Sequence, residues 1–232
     1  MTTRRLALFD LDHTLLPLDS DYQWADFLAR TGRAGDPDEA RRRNDDLMER
    51  YNRGELTAEQ AAEFMLGLLA AHSPVELAAW HEEFMRDVIR PSLTAQAVDV
   101  VRGHLAAGDL CALVTATNSF VTAPIARAFG VQHLIATDPE YRDGRYTGRI
   151  EGTPSFREGK VVRVSQWLAG MGLALGDFAE SFFYSDSVND VPLLEAVTRP
   201  IAANPSPGLR EIAQARGWQV IDLFDHLEDA KS

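Results

Sequence analysis

Three short apolar runs along the chain each end on a small polar or acidic residue. The runs and the residues after them are 6–9 before Asp10, 110–114 before Thr115, and 182–184 before Ser185 and Asp186. Unbroken apolar runs of this length are typical of strands buried on both faces, as in a parallel sheet covered by helices. Ligands bind to such sheets just outside the carboxyl ends of the strands. The pattern therefore predicts an α/β fold in which distant segments bring polar side chains to one crevice.

Residues 17–90 have a different character, because their apolar positions repeat with helical spacing and no run among them resembles a parallel strand. The predicted helices are 22–31, 37–51, 58–71 and 74–88. Two pairs have the spacing of a capping box, namely Thr57 with Gln60 and Ser73 with Glu76. A connection this long after a first strand is usually functional. We interpret it as an all-helical cap inserted into a core made of residues 1–16 and 91–232.

Further strands of the core are predicted at three later apolar runs, 134–136, 201–203 and 220–221. Residues 140–147 predict a small β-hairpin, since Asp143-Gly144 is a strong turn signal with a tyrosine on either side.

Composition and charge narrow the range of partners. The 232 residues are 45% hydrophobic and 25% charged, as in ordinary globular proteins, and the formal net charge is −12. This acidity argues against nucleic acid as a main partner, because nucleic-acid binding needs a basic face. The apolar stretch after Arg5 ends at Asp10, which is too short for a signal-peptide core or a membrane span. We expect a cytoplasmic protein without a membrane partner, and we predict no particular oligomeric state.

Asp10 and Asp12 stand two residues apart at the end of the first predicted strand. Two carboxylates about 4 Å apart repel each other by roughly 4 kcal/mol at an effective dielectric of 20, and a phosphate dianion adds to this repulsion. Mg²⁺ would relieve it by binding carboxylates together with substrate phosphate. One aspartate can then attack phosphorus, while the other protonates the leaving alcohol and later activates water. An acidic turn is the alternative, and it is favoured for this pair taken alone.

Other candidates follow the later strands. Asp186 is a possible metal ligand supported by Asn189 and Asp190, although Asp190 can equally cap the helix that begins near Pro192. Lys160 opens an amphipathic helix, where it can meet an anion or be an ordinary surface lysine. Thr115 offers a hydroxyl to phosphate oxygens, or it closes a turn after its strand.

In this order, the residues resemble the motifs of the haloacid dehalogenase-like superfamily, and specifically its phosphoserine phosphatase-like branch (subfamily IB, with a helical C1 cap). The matching segments are Asp10-Leu11-Asp12-His13-Thr14, Thr115 after a hydrophobic strand, Lys160, and Asp186 through Asp190. A helical cap between the first two motifs is the arrangement of that branch. Each motif is common by itself, but the ordered set covers nearly the whole chain and is highly specific.

The resemblance implies a Rossmann-like core and a role for each matching residue. Asp10 would be the nucleophile and a Mg²⁺ ligand. Asp12 would be the general acid and base, with its backbone carbonyl on the metal, and Asp186 would complete the protein ligands. The residues that bind or support the phosphoryl group would be Thr115, Ala116, Lys160 and Asn189, with Asp190 in support.

Departures from the branch concern the substrate. The phosphoserine enzymes usually carry Ser-Gly-Gly where this chain has Thr115-Ala116-Thr117, and their amine-binding glutamate corresponds here to Asp19. We expect a small phosphomonoester resembling phosphoserine or histidinol phosphate, whose amine would pair with Asp19 or Asp21. Tyr22 or Trp24 would stack on a ring of the substrate. The alternative is solvated acids and aromatic residues that pack inside the cap, and for Trp24 this alternative is favoured.

Three other functions use similar residues. A phosphotransferase would pass the phosphoryl group to a second alcohol, and the sequence does not separate it from a hydrolase. A response-regulator receiver domain also clusters aspartates, a threonine and a lysine around Mg²⁺, but it is shorter and has no cap. A catalytically silent binding protein is disfavoured by the intact motif set.

Overall fold

A seven-stranded sheet forms the centre of the computed structural model, which describes residues 4–53 and 55–224. The strands are β1 (Arg5–Phe9), β2 (Leu110–Asn118), β3 (His133–Arg142), β4 (Arg145–Glu151), β5 (Glu180–Ser185), β6 (Arg199–Ala203) and β7 (Gln219–Ile221). Their order is β4-β3-β2-β1-β5-β6-β7, and all neighbours are parallel except β3 and β4. The α/β prediction with a mainly parallel sheet is confirmed.

Burial on both faces explains why β1 reads as an unbroken apolar run. Leu6 and Leu8 pack into one apolar cluster, while Ala7 and Phe9 pack into a second cluster on the opposite face. Successive side chains of a strand point to opposite faces, so each face of the sheet has its own apolar layer. The chain leaves β1 for β2 on one side and returns to β5 on the other. The crevice at the carboxyl end of β1 therefore lies at a topological switch point, where ligands bind in such sheets.

Helices cover both faces of the sheet. Their bounds are α1 (Ser20–Arg30), α2 (Pro37–Asn52), α3 (Ala58–Ala70), α4 (Pro74–Phe84), α5 (Ala95–Ala106), α6 (Ser119–Ala128), α7 (Glu158–Gly170), α8 (Val191–Ala196) and α9 (Pro207–Arg216). The first four lie between β1 and β2, and both predicted capping boxes form, so the helical insertion is confirmed. Helix α4 continues through a wide π-helical turn and a short 3-10 turn to Ser92. In the described residues, no helix is long and apolar enough to span a membrane.

The inserted helices share one apolar cluster with the helices beneath them. Trp24 is fully buried, stacks on His81 with the ring centroids 5.4 Å apart, and meets Phe84 edge to face. Nε2 of His81 donates to the backbone oxygen of Val121 in α6 at 2.9 Å. Trp24 thus packs inside the protein, as the favoured alternative expected. The division into a cap of residues 17–90 and a core stays a prediction.

The predicted hairpin is confirmed and is longer than its turn signal. Asp143 and Gly144 adopt positive φ values of 48° and 79°, as a tight hairpin turn requires. Strand β3 begins in the parallel sheet and continues into the hairpin, and β4 packs on α3. A Cβ atom at Gly148 would lie 3.5 Å from that of Ala70, so the hairpin approaches the helical insertion closely.

Candidate active site

A cavity of about 670 Å³ lies over the carboxyl ends of the central strands, and α1, α2 and α3 border its other side. All the candidate residues from the sequence except Trp24 line it: Asp10, Asp12, Asp19, Asp21, Tyr22, Thr115, Ala116, Lys160, Asp186, Asn189 and Asp190. Segments separated by more than a hundred residues therefore meet, as the strand-end pattern predicted. Trp24 does not belong to this lining.

Lys160 joins two carboxylates at the floor of the cavity. Its Nζ donates to Oδ1 of Asp10 and to Oδ2 of Asp190, each at 2.7 Å, and the residue is 3% exposed. Burial disfavours the charged ammonium group, but the two carboxylates outweigh burial and raise the pKa of Lys160 above its ordinary value. Lys160 is therefore a fixed positive charge beside Asp10.

Gly159 allows the first turn of α7 to bring Lys160 to this position. A Cβ atom at Gly159 would lie 2.2 Å from the backbone oxygen of Pro154, a distance that no side chain tolerates. The loop before α7 can therefore pass closely over the helix only with glycine at this position.

Thr14 links the nucleophile candidate to Asp186. Its Oγ1 lies 3.0 Å from Oδ2 of Asp10 and 2.9 Å from Oδ1 of Asp186, and it accepts a hydrogen bond from the Asp186 backbone at 3.0 Å. A hydroxyl carries one hydrogen, so it can donate to only one of these carboxylates at a time. Burial, together with the charges of Asp10 and Asp190, raises the pKa of Asp186 to about 8. The neighbouring acids and burial therefore disfavour the ionised form of Asp186 when no cation is bound.

The donor set here fits a hard cation. The described residues contain no cluster of three or more His, Cys, Asp or Glu side chains arranged to hold a metal. Mg²⁺ does not need one, because it is commonly bound by one or two carboxylates plus water and substrate phosphate. Asp10 and Asp186, joined through Thr14, provide such a pair.

Asp12 is turned away from that pair and towards the helical insertion. Its Oδ1 accepts from the Ser20 backbone at 2.9 Å, and its Oδ2 accepts from Oγ1 of Thr117 at 2.7 Å. Burial and the nearby charge of Asp19 raise the pKa of Asp12 to about 6, although these hydrogen bonds oppose the shift. A carboxyl group with such a pKa is suited to general acid and base chemistry near neutral pH.

The remaining candidates on the sheet side have clear contacts. Thr115 is buried, and its Oγ1 accepts from the Thr117 backbone at 3.2 Å, whereas Ala116 is exposed to the cavity. Asp190 directly precedes α8 but makes no capping hydrogen bond to it. Its Oδ2 accepts from Ser185 at 2.7 Å in addition to Lys160, so its contacts support the site and not the helix end.

The helical side of the cavity carries acids of its own. Asp19 caps α1 by accepting from the Tyr22 backbone at 2.7 Å. Oδ1 of Asp21 accepts from Nδ2 of Asn118 at 2.8 Å, and burial with the charges of nearby acids raises the pKa of Asp21 well above its usual range. Within the described ranges, no lysine or arginine forms an ion pair with either acid.

Comparison with known proteins identifies the family. Residues 7–195 match the family model described as haloacid dehalogenase-like hydrolase. The chain belongs to this family. It is 40% identical over 221 residues to a histidinol-phosphatase from Neisseria meningitidis serogroup C, which covers 95% of this chain and 99% of that relative. It is 35% identical over 158 residues to a phosphoserine phosphatase from Mycobacterium tuberculosis, which covers 68% of this chain and 50% of that relative.

Solved structures support the same fold. A crystal structure of a protein with unknown function from Bordetella pertussis Tohama I is 98% identical, with a TM-score of 0.95 over 96% of this chain and 100% of that one. A substrate-bound phosphoserine phosphatase shares the fold at 21% identity, with a TM-score of 0.68 over 98% of this chain and 99% of that one. The resemblance to the phosphoserine phosphatase-like branch is confirmed, and this haloacid dehalogenase-like protein is a phosphatase. The receiver-like and silent-binding alternatives find no support.

Several residues around the centre of this haloacid dehalogenase-like phosphatase had no role assigned from sequence. They are Thr14, Ser20, Thr117, Asn118, Ser185 and Asn204, and each bonds an acid or a loop of the site. Most of them stand within a few positions of a predicted strand end. A search of every polar residue in those positions would have found them, but their partners depend on tertiary packing.

Proposed function

We propose that this phosphatase hydrolyses a small amine-bearing phosphomonoester in a Mg²⁺-dependent reaction through an aspartyl-phosphate intermediate, with histidinol phosphate as the first candidate substrate. The observation that carries the proposal is the charge pattern of the cavity. Asp19 and Asp21 face the leaving-group side, and Lys160 is the only lysine or arginine that lines the cavity in the described residues. A protonated amine would stabilise the ionised forms of these buried acids, whereas a substrate carboxylate would disfavour them further.

The apolar lining of the same side favours a ring on the substrate. Apolar side chains from α2 and α3 line it, together with one aromatic residue of the core: Leu47, Met48, Met65 and Phe156. Histidinol phosphate carries an amine and an imidazole ring and has no carboxylate, whereas phosphoserine carries an amine and a carboxylate. The 40% identity to a histidinol-phosphatase over nearly the whole chain supports the same choice. We propose that residues 17–90, which supply most of this wall, act as the cap.

The roles of the residues follow from their positions. Asp10 attacks phosphorus, the bond between phosphorus and the leaving oxygen breaks, and Asp12 donates its proton to that oxygen. Asp12 then takes a proton from water, whose oxygen attacks the phosphoryl group and releases phosphate with Asp10 restored. Lys160 keeps Asp10 oriented and offers positive charge to the phosphoryl oxygens. Mg²⁺ held by Asp10, Asp186 and the Asp12 carbonyl would supply further positive charge there.

Transfer to a second alcohol would use the same residues. The test is phosphate release with Mg²⁺ from histidinol phosphate, phosphoserine, phosphoethanolamine and a sugar phosphate, with Asp10→Asn as the inactive control. We expect kcat/KM to be highest for histidinol phosphate and to exceed that for phosphoserine by roughly a hundredfold, as expected when a carboxylate meets unpaired acids.

A clear preference for the amine-free sugar phosphate would overturn the choice of substrate. Turnover by Asp10→Asn, or undiminished turnover after chelation of divalent cations, would overturn the mechanism. Release of inorganic phosphate in step with the alcohol distinguishes hydrolysis from transfer, because a transferase delivers the phosphoryl group to an added alcohol.

A further inference from the structure

Asn204 directly follows β6, and its side chain is hydrogen-bonded to the His13-Thr14 loop that follows Asp10. Its Nδ2 donates to the backbone oxygens of His13 at 3.2 Å and Thr14 at 2.9 Å. Its Oδ1 accepts from the backbone of Leu223 at 2.5 Å. Because a backbone N–H can only donate, the oxygen of the amide must face Leu223 and the NH₂ group must face the two carbonyls. The orientation of Asn204 is therefore fixed by its partners.

The backbone is left-handed at both ends of this contact. His13 has a φ of 58° and Asn204 itself has a φ of 47°. A left-handed conformation is sterically unfavourable for most L-residues, although Asn adopts it more readily than others, and such residues persist where the surroundings over-determine them, often at functional sites. Here the two left-handed residues are joined by the Asn204 side chain.

The loop matters because Thr14 touches both acidic partners of the centre. The Thr14 backbone is held by Asn204 on one side, and its hydroxyl lies within 3.0 Å of carboxylate oxygens of Asp10 and Asp186 on the other. Asn204 is itself anchored, since its backbone N–H donates to the Ile221 oxygen in β7 at 2.8 Å. A continuous series of hydrogen bonds therefore runs from β7 at the edge of the sheet to the two carboxylates. Asn204 does not line the cavity, so any effect it has on the two carboxylates has to pass through the His13-Thr14 segment.

We propose that Asn204 is a positioning residue for phosphoryl transfer, which holds the His13-Thr14 segment so that Thr14 keeps Asp10 and Asp186 in a fixed mutual orientation. This inference rests on the proposed function. The competing explanation is a purely structural role, in which Asn204 only attaches the segment after β7 to the rest of the sheet. A purely structural residue affects only the stability of the fold, whereas a positioning residue also affects kcat and the rise in Tm on adding Mg²⁺.

Two variants separate these explanations. Asn204→Asp has the same shape and still accepts from Leu223, but it places an oxygen against two carbonyls and donates nothing. Asn204→Gly removes all three side-chain bonds and tolerates the positive φ without strain. The matched control is Thr198→Val, which removes the two hydrogen bonds that the Thr198 hydroxyl makes with the Ser181 backbone, just before the opposite end of β6.

The readouts are kcat and KM with an aryl phosphate and the rise in Tm on adding Mg²⁺, which needs no turnover because a bound ion stabilises the folded state. For both Asn204 variants we expect kcat to fall by about 10- to 100-fold with KM changed by less than about threefold. We expect their Mg²⁺-dependent rise in Tm to shrink. Thr198→Val should lower Tm and leave kcat and the Mg²⁺ response as in the wild type.

An unchanged kcat and Mg²⁺ response in both Asn204 variants, with only a lower Tm, would overturn the positioning role. Wild-type protein that releases phosphate from no phosphomonoester would overturn the proposed function instead. In that case the Mg²⁺-dependent rise in Tm is the readout for Asn204. A rise in both variants as large as in the wild type would overturn the positioning role.

Discussion

The two sides of the cavity differ in whether their acidic side chains are paired with a cationic side chain. On the sheet side, Asp10 and Asp190 share the buried ammonium group of Lys160 at 2.7 Å. On the helical side, Asp19 and Asp21 have hydrogen bonds but no lysine or arginine partner in the described part of the chain. Under the proposed function, the sheet side is preorganised for the phosphoryl group before any substrate binds. Burial disfavours the ionised forms of the two acids on the other side, and under the proposed function a cationic leaving group would stabilise those forms.

The difference also shows in how each side is built. On the sheet side, Asp10, Thr115 and Asp186 lie at or near the ends of strands that backbone pairing holds in register, and Lys160 comes from the first turn of α7. The helical side depends on how α1, α2 and α3 pack, and its apolar wall contains Met48 and Met65, which adapt easily to different shapes. We infer that reaction chemistry is set on the first side and substrate choice on the second.

Removal of Lys160 should have the largest effect, because it breaks the charge balance of the sheet side. Lys160→Met leaves Asp10 and Asp190 buried without their cation, and loss of one partner of a buried pair costs about 3–5 kcal/mol of unfolding free energy. We expect kcat to fall at least about a thousandfold, since electrostatic stabilisation of the transferring group is lost. Urea unfolding and steady-state kinetics measure the two effects.

The double variant Lys160→Met with Asp190→Asn is the companion to this test. It removes one of the stranded carboxylates, so part of the lost stability should return while activity stays lost. Full activity in either variant would contradict a role for Lys160 in phosphoryl binding. Unchanged stability in the single variant would contradict the charge balance.

Asp12→Asn should have the next largest effect, and its size should depend on the leaving group. Loss of a general acid and base typically costs about 10²- to 10⁴-fold in rate. We expect a larger loss for an alkyl phosphate such as histidinol phosphate than for p-nitrophenyl phosphate, because the nitrophenolate leaves without a proton. Comparison of kcat for the two substrates gives the result. Equal losses would mean that Asp12 does not protonate the leaving oxygen.

The sheet side was largely predictable from the sequence. Asp10, Thr115 and Asp186 each follow an apolar run, and parallel strands deliver such residues to one edge. Local signals also located the helices, including the capping boxes that open α3 and α4. Lys160 was expected in the first turn of a helix, where it lies.

The helical side was less predictable, because its contacts are tertiary. Nothing local indicates that Asn118 would cap α6 with its oxygen and hold Asp21 with its nitrogen. Tyr22 was expected to stack on a substrate ring; it lines the cavity, but its hydroxyl donates to Asp45 at 2.7 Å. Asn204 follows the predicted strand 201–203, as other site residues follow their strands, so its position in the sequence was informative. Its hydrogen bonds to the His13-Thr14 loop were not predictable, because they depend on the left-handed backbone at His13 and Asn204.

Asp21→Asn tests the helical side with a smaller and selective effect. A hydrogen bond to a charged group contributes about 1.5–3 kcal/mol, so we expect kcat/KM for histidinol phosphate to fall roughly tenfold or more. The value for p-nitrophenyl phosphate should stay unchanged, because that substrate has no amine. The control is Asp26→Asn, on the same helix α1 but outside the cavity lining. A similar loss with both substrates would show that Asp21 affects the chemistry and not the choice of substrate.

The smallest predicted effect concerns the support beneath the helical side, where packing and not charge holds α4 on α6. Burial lowers the pKa of His81 from 6.5, so the unfolded chain binds more protons than the folded one between that lowered value and 6.5. The free energy of unfolding should therefore be highest above pH 6.5 and fall as the pH drops through this window. In His81→Gln, which can still donate to the Val121 oxygen, the fall should be smaller. Urea midpoints at about pH 7.5 and about pH 5.5 measure this fall in stability. The control is His72→Gln, at a partly exposed position. An equal fall in the wild type and in His81→Gln would mean that this contact does not make the helical side sensitive to acid.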